Sequence, residues 1–259
     1  MIKREYKKAF GYLLFLTIVL FFARDAFSDV TYSTSFPVND GGPLRIAADR
    51  EGNLYVTTQI LSGAKVWRFD KDYNLVGYIN DFQRPVGIAV DRAKRVFVGD
   101  YKKGSIGVYS STGEFLFYLG SGQGEFGHPN DITVDSKGNI YVSDSTNNVV
   151  KVYDPDGTLR FTIGGYGTAD GQMIFPTGIT VDEYAQELYV VDHLNIRIEV
   201  FDLSGNFKRK FTSSYLLRPQ GIAVSNGKVY VVDIYHSSVK VFDTLGNYIT
   251  SIGIYGSGP

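Results

Sequence analysis

The chain has 259 residues, with 26 Lys and Arg against 27 Asp and Glu, and no cysteine. The near-zero charge excludes the dense basic surface of a nucleic-acid binder. The missing cysteines exclude disulfides, thiolate metal sites and a cysteine nucleophile.

The first segment reads as a three-part export signal. Met1 to Lys8 carries Lys3, Arg4, Lys7 and Lys8, and Ala9 to Ala23 is almost wholly apolar. Ala26-Phe27-Ser28 then puts small residues where a signal peptidase reads. Residues 1–28 are therefore expected to be a secretory signal cleaved after Ser28. The protein is expected in the periplasm or outside the cell, with no membrane contact beyond the signal. The alternative is an uncleaved anchor, for which fifteen apolar residues fall short of the roughly 20 that span a bilayer. Cleavage removes five basic and two acidic residues, leaving 21 against 25, a net charge of −4.

Residues 29–259 follow one repeated sentence: P-x-G-I-a-V-D, then G-n-x-Y-V-x-D, then V-x-V-Y/F-D, then x-G-n-x. Its copies begin at Pro43, Pro85, Pro129, Pro176 and Pro219. A period of roughly 40–45 residues with several short strands in each is the mark of radially repeated β-structure. In the third copy, Ile132 to Asp135, Ile140 to Asp144, Val149 to Tyr153 and Leu159 to Ile163 read as four strands of an antiparallel meander, with turns at Ser136–Asn139 and Asp154–Gly157. High Gly with abundant Tyr and Phe suits such strands and turns. The expected fold is an all-β propeller of four-stranded antiparallel blades. Tyr55, Phe97, Tyr141, Tyr189 and Tyr230 occupy one equivalent position, and Phe69, Tyr109, Tyr153, Phe201 and Phe242 another. Both series are expected in the core between blades. The first copy is the least regular, because Arg68 replaces an apolar residue and the turn after Asp70 lacks its Gly.

Five copies supply about twenty strands at four per blade. Val30 to Phe36 reads as one more outer strand, and Gly256 to Gly258 matches the linker that precedes the third copy. A sixth blade is expected to be incomplete, with the C-terminus truncated; a five-bladed ring with a spare strand is the alternative.

The pattern P-x-G-I-A-V-D…Y-V-x-D…V-x-V-F-D…G resembles the NHL repeat. The match is carried by Pro85–Asp91, Pro129–Asp135, Pro176–Asp182 and Pro219–Val224, with the second strands that follow them. The resemblance covers residues 43–255 and implies a propeller, usually six-bladed in that family. The family's peptide-amidating lyases bind zinc with His, in part directly after a repeat proline. Leu44, Val86, Asn130, Thr177 and Gln220 stand there in this chain, which argues against the lyase. The family's cytoplasmic RNA binders are disfavoured by the export signal and the acidic charge.

The recurring Asp100, Asp144, Asp192 and Asp233 read as acceptors that fix loops, not as a metal ring. The three histidines, His128, His193 and His236, lack an apparent third metal ligand. Gly120 to Gly127 reads as a linker because it precedes a strand and opens no helix. Function is then sought where the copies disagree: Tyr101, Lys102, Lys103, Asn130, Thr177, His193, Leu194, Gln220, Tyr235 and His236. These are the candidate binding residues for a protein or glycan ligand on the loop face, with no cofactor and no catalytic residue expected. The function expected is a non-catalytic binding or scaffold module. The alternative is a metal-dependent lyase or lactonase with its site in the central channel.

Overall fold

The computed structural model describes residues 42–59 and 64–253. The signal segment and the Val30–Phe36 strand lie outside the described residues.

Each repeat copy forms one four-stranded antiparallel sheet whose strands lie in chain order. The first blade holds β1 (Gly42–Ala48), β2 (Leu54–Gln59), β3 (Ala64–Phe69) and β4 (Leu75–Phe82). The second holds β5 (Pro85–Val90), β6 (Val96–Asp100), β7 (Ser105–Tyr109) and β8 (Phe115–Tyr118). The third comprises β9 (Pro129–Val134), β10 (Ile140–Asp144), β11 (Val149–Tyr153) and β12 (Leu159–Gly164). The fourth comprises β13 (Pro176–Asp182), β14 (Glu187–Asp192), β15 (Arg197–Asp202) and β16 (Phe207–Phe211). The fifth is β17 (Pro219–Ser225), β18 (Lys228–Asp233), β19 (Ser238–Asp243) and β20 (Tyr248–Ile252). Among the described residues there are five blades and no helix, hence none long and apolar enough to cross a membrane.

The inner strands β1, β5, β9, β13 and β17 pack side by side in that order. The blades bury their faces on one another as the two aromatic series require. Within a strand, successive side chains alternate faces. The second-strand aromatic therefore points to the following blade and the third-strand aromatic to the preceding one. Tyr141 joins the apolar cluster with Leu188 and Phe201 of the fourth blade. Tyr153 joins Phe97 and Ile106 of the second. Tyr189 meets Val229 and Phe242 of the fifth blade, and Tyr55 meets Val96 and Tyr109 of the second. All ten aromatics are buried. At the two ends of the series, the clusters formed by the described residues each come from one blade. Leu54, Val56, Trp67 and Phe69 form the flank of the first blade, and Tyr230, Val239 and Val241 that of the fifth.

Hairpin turns repeat one device. Asp135 Oδ1 accepts the amides of Lys137 and Asn139, both at 2.9 Å, and Asn139 Nδ2 donates to Oδ2 at 2.7 Å. Gly138 takes the left-handed position at φ 88°. The turn after Asp70 keeps this shape without glycine by placing Tyr73 at φ 66°, an uncommon conformation for an aromatic residue.

Two carboxylates act as clamps, Glu187 on the outer strand β16 and Glu125 between a linker and β11. Glu187 accepts both terminal nitrogens of Arg209 at 2.7 Å and the Tyr189 hydroxyl at 2.9 Å. Those Arg209 bonds lead in holding it down to about 2, against the cost of burial. Burial pushes the Glu125 carboxyl up, but bonds from the Ser121 hydroxyl and amide, Lys151 and Tyr153 outweigh it and also hold it at about 2. A depressed carboxylate contributes stability that is complete above its ordinary value near 4.5 and is lost as pH falls toward the folded-state value. Urea midpoints should therefore drop steeply below pH 4.5. Glu187→Gln should remove about 2 kcal/mol of that acid-dependent loss.

Candidate functional site

The repeat geometry places the β2–β3-type loops and the linkers between blades on one face. Each second-strand Asp ties the two together. Asp144 is fully buried and accepts the amides of Gly127 and His128, both at 3.0 Å, from the incoming linker. It also takes the Asn147 side-chain amide at 2.7 Å, from the loop. Asp100 likewise receives the amides of Gln83, Arg84, Lys102 and Lys103. Asp233 receives those of Leu217, Arg218, Tyr235 and His236. These carboxylates hold the scaffold of the face, as the sequence implies.

The candidate binding residues divide. Tyr101 is half-buried between Arg84, whose guanidinium lies 4.7 Å from its ring centre, and the His128 ring, stacked at 3.9 Å and 4°. His128 Nδ1 also bonds Thr146 Oγ1. Lys102 is exposed, and Lys103 reaches back to the Asp81 carbonyl. Tyr235 and Leu194 stand out into solvent. His236 lies 3.2 Å from Asp233 through Nδ1.

The others turn inward and join neighbouring blades. Thr177 is buried and its hydroxyl donates to the Gln220 carbonyl at 2.9 Å. His193 Nδ1 donates to the Pro219 carbonyl at 2.6 Å. Ser143 and Ser145 make the same kind of bond to Thr177 and Pro176 carbonyls. Asn130 is buried, with Oδ1 3.5 Å from an Arg45 nitrogen.

Sequence reading overlooks the polar pair at the axis. At the third position of the repeat, Gly87, Gly178 and Gly221 are replaced in the remaining copies by Arg45 and Asp131. The substitution itself was the available signal. Arg45 Nε lies 3.7 Å from Asp131 Oδ1, so the first blade reaches past the second to the third. Asp131 Oδ1 also accepts the Ile132 amide at 3.0 Å, and Oδ2 the Ile179 amide at 3.2 Å. Burial raises the Asp131 carboxyl, while Arg45 and these amides pull the other way. The pair borders a cavity of about 340 Å³ lined by the inner strands of all five blades and the β18–β19 flank of the fifth. Among the described residues, no three His, Cys, Asp or Glu side chains gather as a metal site. Asp131 is the cavity's one lining carboxylate, and an arginine beside it opposes a divalent cation there.

The model of the SMP-30/Gluconolactonase/LRE-like region family matches residues 80–255, more than half of the chain. The chain belongs to that family. No curated protein matches it. Among solved structures it is similar to a chain of a nidogen/laminin complex, with TM-score 0.71 and 21% identity over 84% of this chain and 82% of that one. It is also similar to virginiamycin B lyase from Staphylococcus aureus, with TM-score 0.67 and 17% identity over 86% and 73%. The H270A form of that lyase with quinupristin gives TM-score 0.66 and 16% identity over 84% and 71%. At these identities the likenesses show the fold alone. Family members and neighbours thus include both enzymes and a protein solved in a complex, and the fold carries either.

Proposed function

We propose that this protein is an exported, non-catalytic binding propeller that takes a protein or glycan ligand on its loop face. One observation carries the reading. Tyr166, Leu194, Ile196, Tyr215, Leu217 and Tyr235 are 36–72% exposed, and all sit in loops or linkers of that face around the fourth and fifth blades. The turns of the opposite face expose only Tyr184 and Leu245 among large apolar residues of the described chain, and the other eight exposed ones lie on the outer strands β4, β8, β12 and β20. Exposed aromatic and aliphatic side chains gathered on one face of a rigid scaffold suit a macromolecular contact. The repeat is of the NHL type in this reading, and a sixth blade between the fifth and the first would cover the two apolar flanks.

Family membership and the axial cavity favour a second reading, a metal-dependent lactonase or lyase acting in the channel. The environment of Asp131 weighs against it, since this carboxylate is committed to Arg45 and two backbone amides. Calorimetric titration of the mature chain with Ca²⁺, Mg²⁺ and Zn²⁺, run beside hydrolysis of γ- and δ-lactones, separates the two. Neither stoichiometric metal uptake nor turnover of lactones is expected. Stoichiometric metal uptake that is required for lactone opening overturns the binding reading.

A further inference from the structure

We infer that the apolar outer edge of the first two blades is a self-association surface, on which β8 of one chain meets β8 of a second copy. The outer strands can be compared by counting back from their buried Ile79, Leu119, Ile163 and Phe211. Three positions and one position earlier stand Val76 and Tyr78 in the first blade, and Leu116 and Tyr118 in the second. The third blade has Arg160 and Thr162 there, and the fourth Lys208 and Lys210. All eight of these side chains are exposed. Each outer strand is the last of its sheet among the described residues. Charged side chains are a usual guard against pairing at such an edge. β12 and β16 carry that guard, and β4 and β8 lack it at these positions.

The two unguarded strands belong to one side of the molecule. Arg68 of the first blade donates to the Thr112 carbonyl in the β7–β8 turn at 2.6 Å, which ties β8 to its neighbour. Phe115 and Tyr118 pack on each other with ring centres 4.7 Å apart. Leu75, Val76, Tyr78, Phe115, Leu116 and Tyr118 are each 38–52% exposed. A whole aromatic side chain offers about 150–250 Å², so these six together present roughly 500 Å² of apolar surface. A standard interface buries about 800 Å² on each partner, somewhat over half of it non-polar. This side of the molecule thus supplies the apolar share of one half of a dimer. A two-fold contact needs a patch that fits itself. Six uncharged side chains meet their own copies without repulsion, whereas the lysines of β16 would set like charges against each other. The surface lies on the circumference, distinct from the proposed contact surface on the loops.

The test is sedimentation equilibrium of the protein purified from cells that produce the full chain, over roughly 1–100 μM. A reversible dimer is expected, with a mass approaching twice that of the single chain at the top of the range. Leu116→Lys and Tyr118→Lys are each expected to weaken association at least about tenfold. Thr162→Lys puts the same charge at the equivalent position of β12 and is expected to leave association unchanged. A photoreactive residue at position 116 reads the same contact without a charge, and is expected to link to residues 115–118 of the second copy. It carries the test if the lysine variants do not fold. A monomer throughout the range overturns the inference and leaves this edge to a different partner. So does a dimer undiminished by a folded lysine variant of β8, weakened equally by Thr162→Lys, or linked from position 116 to another surface.

Discussion

Replacing Arg197 with Met should be among the most damaging single changes in this protein, at about 3–5 kcal/mol. Arg197 is buried, with Nε 2.8 Å from Asp192 and a terminal nitrogen 2.8 Å from Glu199. Its remaining donors hold the carbonyls of Thr168, Ala169 and Gln172 at 2.7–3.0 Å. One side chain thus fixes the linker between the third and fourth blades, the linker that presents Tyr166. Its loss leaves two buried carboxylates without their cation and frees the linker. Burial pushes the Glu199 carboxyl up to about 7 even with Arg197 present. A carboxyl raised in the folded state contributes stability that is present at low pH and lost as pH rises through that value. The variant should therefore lose more stability at pH 8 than at pH 5. Urea unfolding at the two pH values measures both effects. An equal and small loss at both would show that Arg197 does not anchor the linker.

The second large effect is expected from Gly178→Ala. A Cβ there would lie 2.6 Å from the Gln220 carbonyl oxygen and 2.9 Å from both Gly221 Cα and Ile222 N. All three are backbone atoms, so no side-chain rotation relieves the contact. The inner strands of the fourth and fifth blades would have to separate, costing about 3 kcal/mol, the upper end of ordinary overpacking. Gly221→Ala is the internal control. It occupies the same repeat position, but its Cβ would meet only Val232 side-chain atoms, at 3.4 Å or more, and should cost under about 1 kcal/mol. Chemical denaturation of the two variants side by side tests the contrast. Similar midpoints would mean that the close approach of β13 and β17 is not a constraint.

These contrasts show which parts of the molecule its sequence exposes. The blades are legible because strand alternation, turn chemistry and the aromatic series recur at fixed spacing, and each is a local property of one repeat. The role of Asp144 and its counterparts is legible for the same reason. The bonds of Thr177 and His193 are not, because their acceptors lie on the next blade, at Gln220 and Pro219. Inspecting one repeat marks such residues as variable loop positions, while the packing of successive blades turns them into joints. Arg45 and Asp131 stand between these cases. Aligning the copies exposes them as exceptions to glycine, yet only the radial packing of the blades brings residues from the first and third together. The surface formed by Leu194, Tyr235 and their neighbours depends likewise on the return of every second connection to one face.

The central claim, that this loop face meets a partner, is tested most directly by site-specific photocrosslinking in cells that produce the full chain. A photoreactive residue would replace Tyr235 on the loop face or Tyr184, which is 99% exposed on the opposite face. Crosslinks to a discrete cell-envelope protein or glycan from position 235, with none from position 184, are the predicted result. Equal labelling from the two positions, or none from 235, would contradict it.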